Sequence, residues 1–472
     1  MIETPTYPSL VLPDFPRATP GAHSKIIAGL SAACLLGLWV AGSGTLLRVA
    51  FPAAAGLVAL VLYRSSPIVY VKYSLWVWFL TPIIRRVIDL RCGWAETNLA
   101  LLAPFLVSGV VVVAFLTKGS KAWSDIPVVF VLCAAAILYG FVIGMLLKPS
   151  AEVCFGLLNW ICPLVFGLYL YQNWRYYEQY REAIGKTFIL AALVMGVYGI
   201  YQFLSPPSWD RFWLENVQRT AGASFGQPEA LLIRVWSTMN APGPFANTMM
   251  MGLLFLFAVR STWKLPAAIA GYSSFLLSAV RTAWLSWVIG LVWILKSAKP
   301  RVMVRIIVSA GLLLVCMVPL MSDSRLATVI SNRIDTFSDL KHDDSFGARI
   351  EMYRILSRDA IENPFGEGLQ VSEVSHGIAV DSGILLLLFS LGWVGSIVFT
   401  LGILCIFARA NYSPQERDEY LLVTKAGMIA IVAQLIGGNI FVGVSGVMFW
   451  MFAGIYLAAN KYHANAMEAV GA

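Results

Sequence analysis

From residue 26 to residue 460 the chain is a succession of apolar runs separated by polar breaks, all but two of them short. Runs of about 17 to 25 apolar residues are the length that crosses the hydrocarbon of a lipid bilayer. A backbone placed there must satisfy its own N–H and C=O groups, which a helix does internally. Only 13% of the 472 residues are charged and 58% are hydrophobic, whereas soluble domains run nearer a quarter charged. In water so apolar a chain needs a very large core; in a bilayer the lipid does the burying. The expected fold is all-α: a polytopic integral membrane protein of about 12–14 transmembrane helices.

The apolar segments are 26–43, 45–63, 67–84, 98–117, 126–147, 153–171, 186–204, 242–259, 265–280, 282–296, 303–320, 382–408, 425–440 and 442–460. Two stretches, 265–296 and 425–460, read either as one long span or as two short ones. Gly437-Gly438-Asn439 favours a break in the second, and Val280-Arg281-Thr282 interrupts the first.

Charge gives the chain a direction. With the N-terminus in the cytoplasm, the same side receives Arg64 and Lys72, Lys118 and Lys121, Arg175, Arg181 and Lys186, Arg260 and Lys264, Lys296 to Arg305, Arg409 to Lys425, and Lys461. This obeys the positive-inside rule. Arg85, Arg86 and Arg91 are the exception, falling outside with Asp89 and Glu96. Reading 265–296 as one span would flip everything after it and put Arg301 and Arg305 outside, so two helices are expected and both termini are cytoplasmic. The layout is then a cytoplasmic tail (1–25), N-terminal helices (26–204), an outer loop (205–241), further helices (242–320), a large outer loop (321–381), C-terminal helices (382–460) and a cytoplasmic tail (461–472). Long loops in compact proteins are usually functional or disordered; both carry aromatic residues and amphipathic patterns. Gly347 to Asn363 is expected to be helical, with Ile350, Tyr353, Ile355, Leu356 and Ala360 at near-helical spacing, and Pro364 and Gly366 end it.

Several function classes fall away. The net charge of +8 comes from topology anchors at helix ends rather than from a basic stripe with interleaved aromatics, so nucleic acid is not an expected partner. The seven cysteines form no CxxC pair and read as small core hydrophobes. No His pair has metal spacing, and no Walker loop or GxGxxG is present. The spans are nearly free of ionisable residues, which counts against an ion-coupled transporter. Asn159, Gln202, Asn247 and Gln434 are expected to be helix–helix hydrogen-bond partners. The acidic pair Asp343-Asp344 reads as a solvated turn.

The outer face collects arginines: Arg211, Arg219, Arg234, Arg281, Arg325, Arg333, Arg349, Arg354 and Arg358. Arg281 stands apart, a lone charge in a long apolar stretch at a tight turn. A guanidinium held there suits a bidentate grip on phosphate or carboxylate; anchoring to a phospholipid headgroup is the equal alternative.

Four stretches in fixed order resemble the superfamily of O-antigen ligases and Wzy-type polysaccharide polymerases. They are Arg234 to Ala246 (RVWSTMNAPGPFA), Ser278 to Trp284 (SAVRTAW), Gly347 to Gly368 with its Asn363-Pro364-Phe365-Gly366-Glu367-Gly368 end, and Val380 to Leu385 followed by Leu391-Gly392-Trp393-Val394-Gly395. In the second, the serine spacing is shifted from the family's Ser-x-Ser-Arg. The resemblance implies a glycosyltransferase of the bacterial inner membrane with a periplasmic active site. Its donor is a glycan on undecaprenyl diphosphate; its acceptor is another glycan, as in a polymerase, or lipid A-core, as in a ligase. No metal and no cofactor are implied; a chain-length regulator and a flippase are implied as further partners. Arg234 and Arg281 are the implied diphosphate clamps, with Arg349 a further one. Where ligases carry a histidine before Asn-x-x-Leu, this chain has Asp381; His376 lies five residues earlier. Asp381 is the expected base, with His376 as its substitute, and the missing histidine tilts the reading towards a polymerase. The competing role for Asp381 is that of helix N-cap. A transporter or flippase is the alternative from another class.

Overall fold

The computed structural model describes residues 22–117, 125–221, 225–297, 353–358, 360–369, 374–375, 378–379, 382–411, 418–438 and 440–471, with a few isolated positions between 303 and 311. The first helices are α1 (Ala22–Val40), α2 (Gly44–Ser65) and α3 (Pro67–Cys92). Pro67 opens α3 where its missing N–H costs nothing. A 3-10 turn, Leu99–Leu102, leads into α4 (Ala103–Thr117); α5 (Val128–Leu147), α6 (Ala151–Gln172) and α7 (Tyr177–Leu204) follow. The amphipathic α8 (Ser208–Ala221) fills the first half of the 205–241 loop. Then come α9 (Pro242–Phe255), α10 (Lys264–Leu277), α11 (Arg281–Ser297), α12 (Gly383–Asn411), α13 (Glu419–Val432) and α14 (Gly443–Gly471). Val374–Ser375 and Ile378–Ala379 form a small antiparallel ribbon.

Among the described residues, eight helices are long and apolar enough to cross a membrane. Three expected spans are shorter than the apolar runs suggested. The segments 242–259, 265–280 and 282–296 yield α9, α10 and α11, of 14, 14 and 17 residues. At 1.5 Å per residue these reach only about 21 to 26 Å, against a hydrocarbon thickness of about 30 Å. The remainder of each run goes into turns. The segment 303–320 lies almost wholly outside the described residues, as do 347–352 of the expected loop helix; its continuation at 353–358 and 360–362 is helical.

Small residues let the helices approach closely, as is usual where lipid removes the hydrophobic drive between them. A Cβ on Gly167 of α6 would strike the backbone of Trp450 in α14, and one on Gly454 would strike Gly167 in return. Gly196 of α7 faces Ala270 and Gly271 of α10 in the same manner.

The two ends of the bundle carry different polar chemistry. At one end Arg181 bonds Asp418 at 3.1 Å, Lys461 pairs with Asp125 and lies over the rings of Tyr171 and Trp174, and Lys296 and Lys425 both lie over Trp293. This is the end that charge counting assigns to the cytoplasm. The opposite end carries Arg48, Arg85, Arg86, Asp89, Asp210, Arg234 and Arg281.

At that second end the expectation that the spans are nearly free of ionisable residues needs correcting. α3 runs on past residue 84, so Arg85, Arg86 and Asp89 are helical and buried rather than loop residues. Asp89 accepts from Arg48 at 3.0 Å, Arg85 at 3.1 Å and Asn98 at 2.7 Å. Buried charges persist where they are paired and hydrogen-bonded, and this explains why Arg85 and Arg86 break the positive-inside pattern; Arg91 is exposed.

Candidate active site at the arginine-rich end

The site is built around a strained segment, Arg234 to Thr238. Its backbone is pinned residue by residue. The Arg234 N–H donates to the Phe225 carbonyl at 2.8 Å and that of Val235 to the Leu277 carbonyl at 3.1 Å. The Trp236 and Ser237 N–H groups both donate to Gln202 Oε1, at 3.1 and 2.8 Å. Ser237 Oγ donates to the Met195 carbonyl at 2.6 Å. Ser237 has φ of 50°, a left-handed conformation that costs a residue with a Cβ roughly 1–2 kcal/mol. Such strain persists only where the surroundings over-determine it, and it concentrates at functional sites.

The second segment is the turn between α10 and α11. α10 ends at Leu277, and Ala279 takes φ of 52° before α11 begins at Arg281. Arg234 reaches this turn across 44 and 45 positions of sequence: Nε donates to the Ser278 carbonyl at 3.4 Å and Nη2 to the Ala279 carbonyl at 3.3 Å. A cation near the last carbonyls of a helix is favourable, so Arg234 fixes the turn between α10 and α11. The positive end of α11 adds to that field, since Arg281 is its first residue. The Arg234 guanidinium thus sits on the turn that leads into the N-terminus of α11, whose first residue is Arg281, and a cation beside a helix N-terminus suits an anion.

The far wall is the start of α12. A Cβ on Gly437 would lie 2.9 Å from Thr282, and one on Gly383 would strike the Gly438 carbonyl. Ser382 therefore sits one glycine pair away from the Arg281 turn. Ser382 Oγ accepts from the Leu385 N–H at 3.3 Å and shares a 2.6 Å bond with the Tyr353 hydroxyl. Ser382 is thus the N-cap of α12, the role weighed for its neighbour Asp381. Tyr353, Leu356 and Ala360 pack on Leu385, Leu386 and Phe389, bringing the loop helix onto α12. Asp381, His376 and Arg349 lie outside the described residues.

The glycine-rich stretch of the resemblance is a packing device. Gly366, Gly368 and Gly392 have φ of 78°, 89° and 60°, values that glycine adopts without a Cβ penalty. Gly392 kinks α12, and into that kink fits the 363–368 turn: the Trp393 N–H donates to the Pro364 carbonyl at 2.8 Å and that of Glu367 to the Phe389 carbonyl at 2.7 Å. A Cβ on Gly368 would strike Gly144 of α5.

Of the mid-span amides, Asn247 bonds Ser445 across helices at 2.9 Å and Gln434 bonds the Met250 sulfur at 3.5 Å. Asn159 turns back to its own helix at Phe155. Gln202 does more than join helices, since it carries the strained loop.

One group escaped the sequence reading. Arg86 donates through Nη1 to Asp210 at 2.6 Å and through Nη2 to the Ser237 carbonyl at 2.6 Å. Asp210 also accepts from Tyr198 at 2.8 Å and Gln202 at 2.7 Å. Burial pushes the Asp210 carboxyl up from the ordinary range, while Arg86, Gln202 and Tyr198 pull it back. The available signal was helical: Ile83, Ile84, Val87, Ile88 and Leu90 continue the apolar spacing of α3 through the arginines, and Asp210 stands alone among Trp209, Phe212 and Trp213.

Residues 266–400 match the family model described as O-antigen ligase. The match includes the Arg281 turn and the kink at Gly392, and its bounds also enclose Arg349, His376 and Asp381; Arg234 precedes it. It agrees with the resemblance carried by the motifs and makes this region similar to membrane enzymes of the O-antigen ligase and polymerase type. No curated protein matches the chain.

Proposed function

With the O-antigen ligase match of residues 266–400 as premise, we propose that this chain is a glycosyltransferase of the bacterial inner membrane that polymerises undecaprenyl-diphosphate-linked repeat units on the periplasmic side. The observation that carries the reading is the junction of Arg234 with the Ser278–Ala279 turn, which seats one guanidinium on the turn that leads into Arg281 and the N-terminus of α11. In the reaction an acceptor hydroxyl attacks the anomeric carbon of the donor. The bond to the undecaprenyl diphosphate oxygen breaks as the new glycosidic bond forms, and negative charge grows on the leaving diphosphate. Arg281 and Arg234 stabilise that charge, an electrostatic role that preorganised donors fill well; Arg349 is a further donor in this reading. The proton of the hydroxyl passes to Asp381, a carboxylate able to accept it; His376 is the second candidate for that step.

A ligase is the second reading, favoured by the description of the matching family; Asp381 in place of a histidine favours the polymerase. A deletion strain scored on a gel separates them. Loss of the long-chain ladder with a single repeat unit retained supports the polymerase. Normal chain length with no glycan on lipid A-core supports the ligase. Unaltered glycan removes both.

A further inference from the structure

At the opposite end of the bundle, a cavity of about 420 Å³ opens between α7 and the turn that precedes α10. Its walls are Lys186, Ile189 and Leu190 from α7 and Arg260, Ser261, Thr262 and Trp263 from the turn. The site joins two cations from different elements, two hydroxyl side chains and an exposed indole. Lys186 pairs with Glu182, and Lys72 also acts on that carboxylate, so the local balance stays positive. Trp263 is exposed, in the manner of tryptophans that sit at headgroup level. Beside the cavity, exposed Leu190, Val194 and Val197 run along α7 at helical spacing, and exposed Leu265 and Ile269 run along α10. α7 and α10 pack along this seam. A cavity with two cations and two hydroxyls among its walls thus adjoins exposed apolar side chains of α7 and α10.

We infer that this cavity is a binding site for an anionic phospholipid, distinct from the arginine-rich end and independent of the proposed reaction. The phosphate lies between Lys186 and Arg260, with Ser261 and Thr262 as hydroxyl donors, and an acyl chain follows Leu190, Val194 and Ile269. The exposed apolar side chains beside the cavity decide between lipid and free phosphate, because a soluble anion has no use for them. Basic pockets between helices on the cytoplasmic side are suited to such headgroups.

The test is native mass spectrometry of the full chain released from micelles doped with phosphatidylglycerol, phosphatidylcholine or inorganic phosphate. Phosphatidylglycerol adducts should survive at energies that strip phosphatidylcholine. Lys186→Gln with Arg260→Gln should weaken adduct retention by about five-fold for each charge removed. Thr262→Trp, which fills the cavity at constant charge, should weaken it too and covers the case in which the double variant fails to fold. Arg64→Gln, an exposed basic residue at the same end, should leave the adducts unaltered. Equal retention of phosphatidylcholine, an equal effect of inorganic phosphate, an equal loss in Arg64→Gln or full retention in Thr262→Trp would overturn the assignment.

Discussion

Arg86 of α3 and Asp210 of α8 meet at 2.6 Å with neither side chain exposed to solvent, 124 positions apart in sequence. The same guanidinium holds the carbonyl of Ser237 at 2.6 Å, and the same carboxylate holds Gln202, whose Oε1 takes the N–H groups of Trp236 and Ser237. The strained loop that carries Arg234 is therefore suspended from a buried ion pair. Breaking a buried pair from one side leaves the other charge uncompensated, at a cost of about 3–5 kcal/mol. Arg86→Ala and Asp210→Ala should each lower the melting temperature of the detergent-solubilised protein sharply, and the double variant should lose less than the sum of the two. A melting curve for Arg86→Ala that overlays the parent would show that the pair does not hold the loop.

Ala279 offers a cleaner handle on strain. Its φ of 52° is left-handed, so glycine should be tolerated there and should relieve roughly 1 kcal/mol of backbone cost, less what glycine's own entropy takes back. Ala279→Val should do the reverse and displace the carbonyls that Arg234 grips. The check is a pair of melting curves: Ala279→Gly at or above the parent, Ala279→Val well below. The opposite order would mean that the turn relaxes freely and stores no strain.

What the sequence disclosed and what it hid follow from how far each interaction reaches along the chain. Apolar runs are local, and they located every described membrane-crossing helix. Arg281 was visible because nothing else near it is charged, and Gly437-Gly438 because glycine pairs punctuate helices. The Arg86–Asp210 pair was hidden because hydropathy falls at Arg85, which ends an apolar run on paper while the helix continues to Cys92. Nothing local says that an arginine will be neutralised by an aspartate on another helix. The 363–368 motif was legible as a motif, but its role as filler for the Gly392 kink depends on contacts with α5 and α12. Ser382 was overlooked as the cap because Asp381 beside it is an equally good capping type.

Arg234 and Arg281 should separate when each is replaced. Arg234 bonds two carbonyls of the turn, so Arg234→Ala should cost folded protein as well as turnover. Arg281→Ala should lower turnover by about 10²–10³, the scale of losing one preorganised donor to a developing charge, with membrane expression kept. Arg281→Lys should recover part of the rate, since a point charge replaces a bidentate one. The measurement is glycan chain length in complemented deletion cells beside the protein level in the membrane. Full activity in Arg281→Ala would reduce Arg281 to a lipid anchor.

Asp381 and Ser382 divide the remaining question between base and cap. Ser382 Oγ takes the Leu385 N–H and meets the Tyr353 hydroxyl, so Ser382→Ala should cost about 1 kcal/mol of stability, the usual loss for an N-cap, and should loosen the loop helix that Tyr353 anchors. Asp381→Asn preserves size and hydrogen-bonding shape but removes the carboxylate. If Asp381 accepts the proton of the acceptor hydroxyl, Asp381→Asn should lower turnover by about 10²–10⁴ and leave melting unaltered. His376→Gln should then retain most of the rate. If instead His376→Gln abolishes turnover and Asp381→Asn keeps it, the proton goes to the histidine. The rate of each variant against pH adds a check that a structural role would not move: a carboxylate base loses rate as pH falls through the carboxylate range, a histidine base already near neutrality.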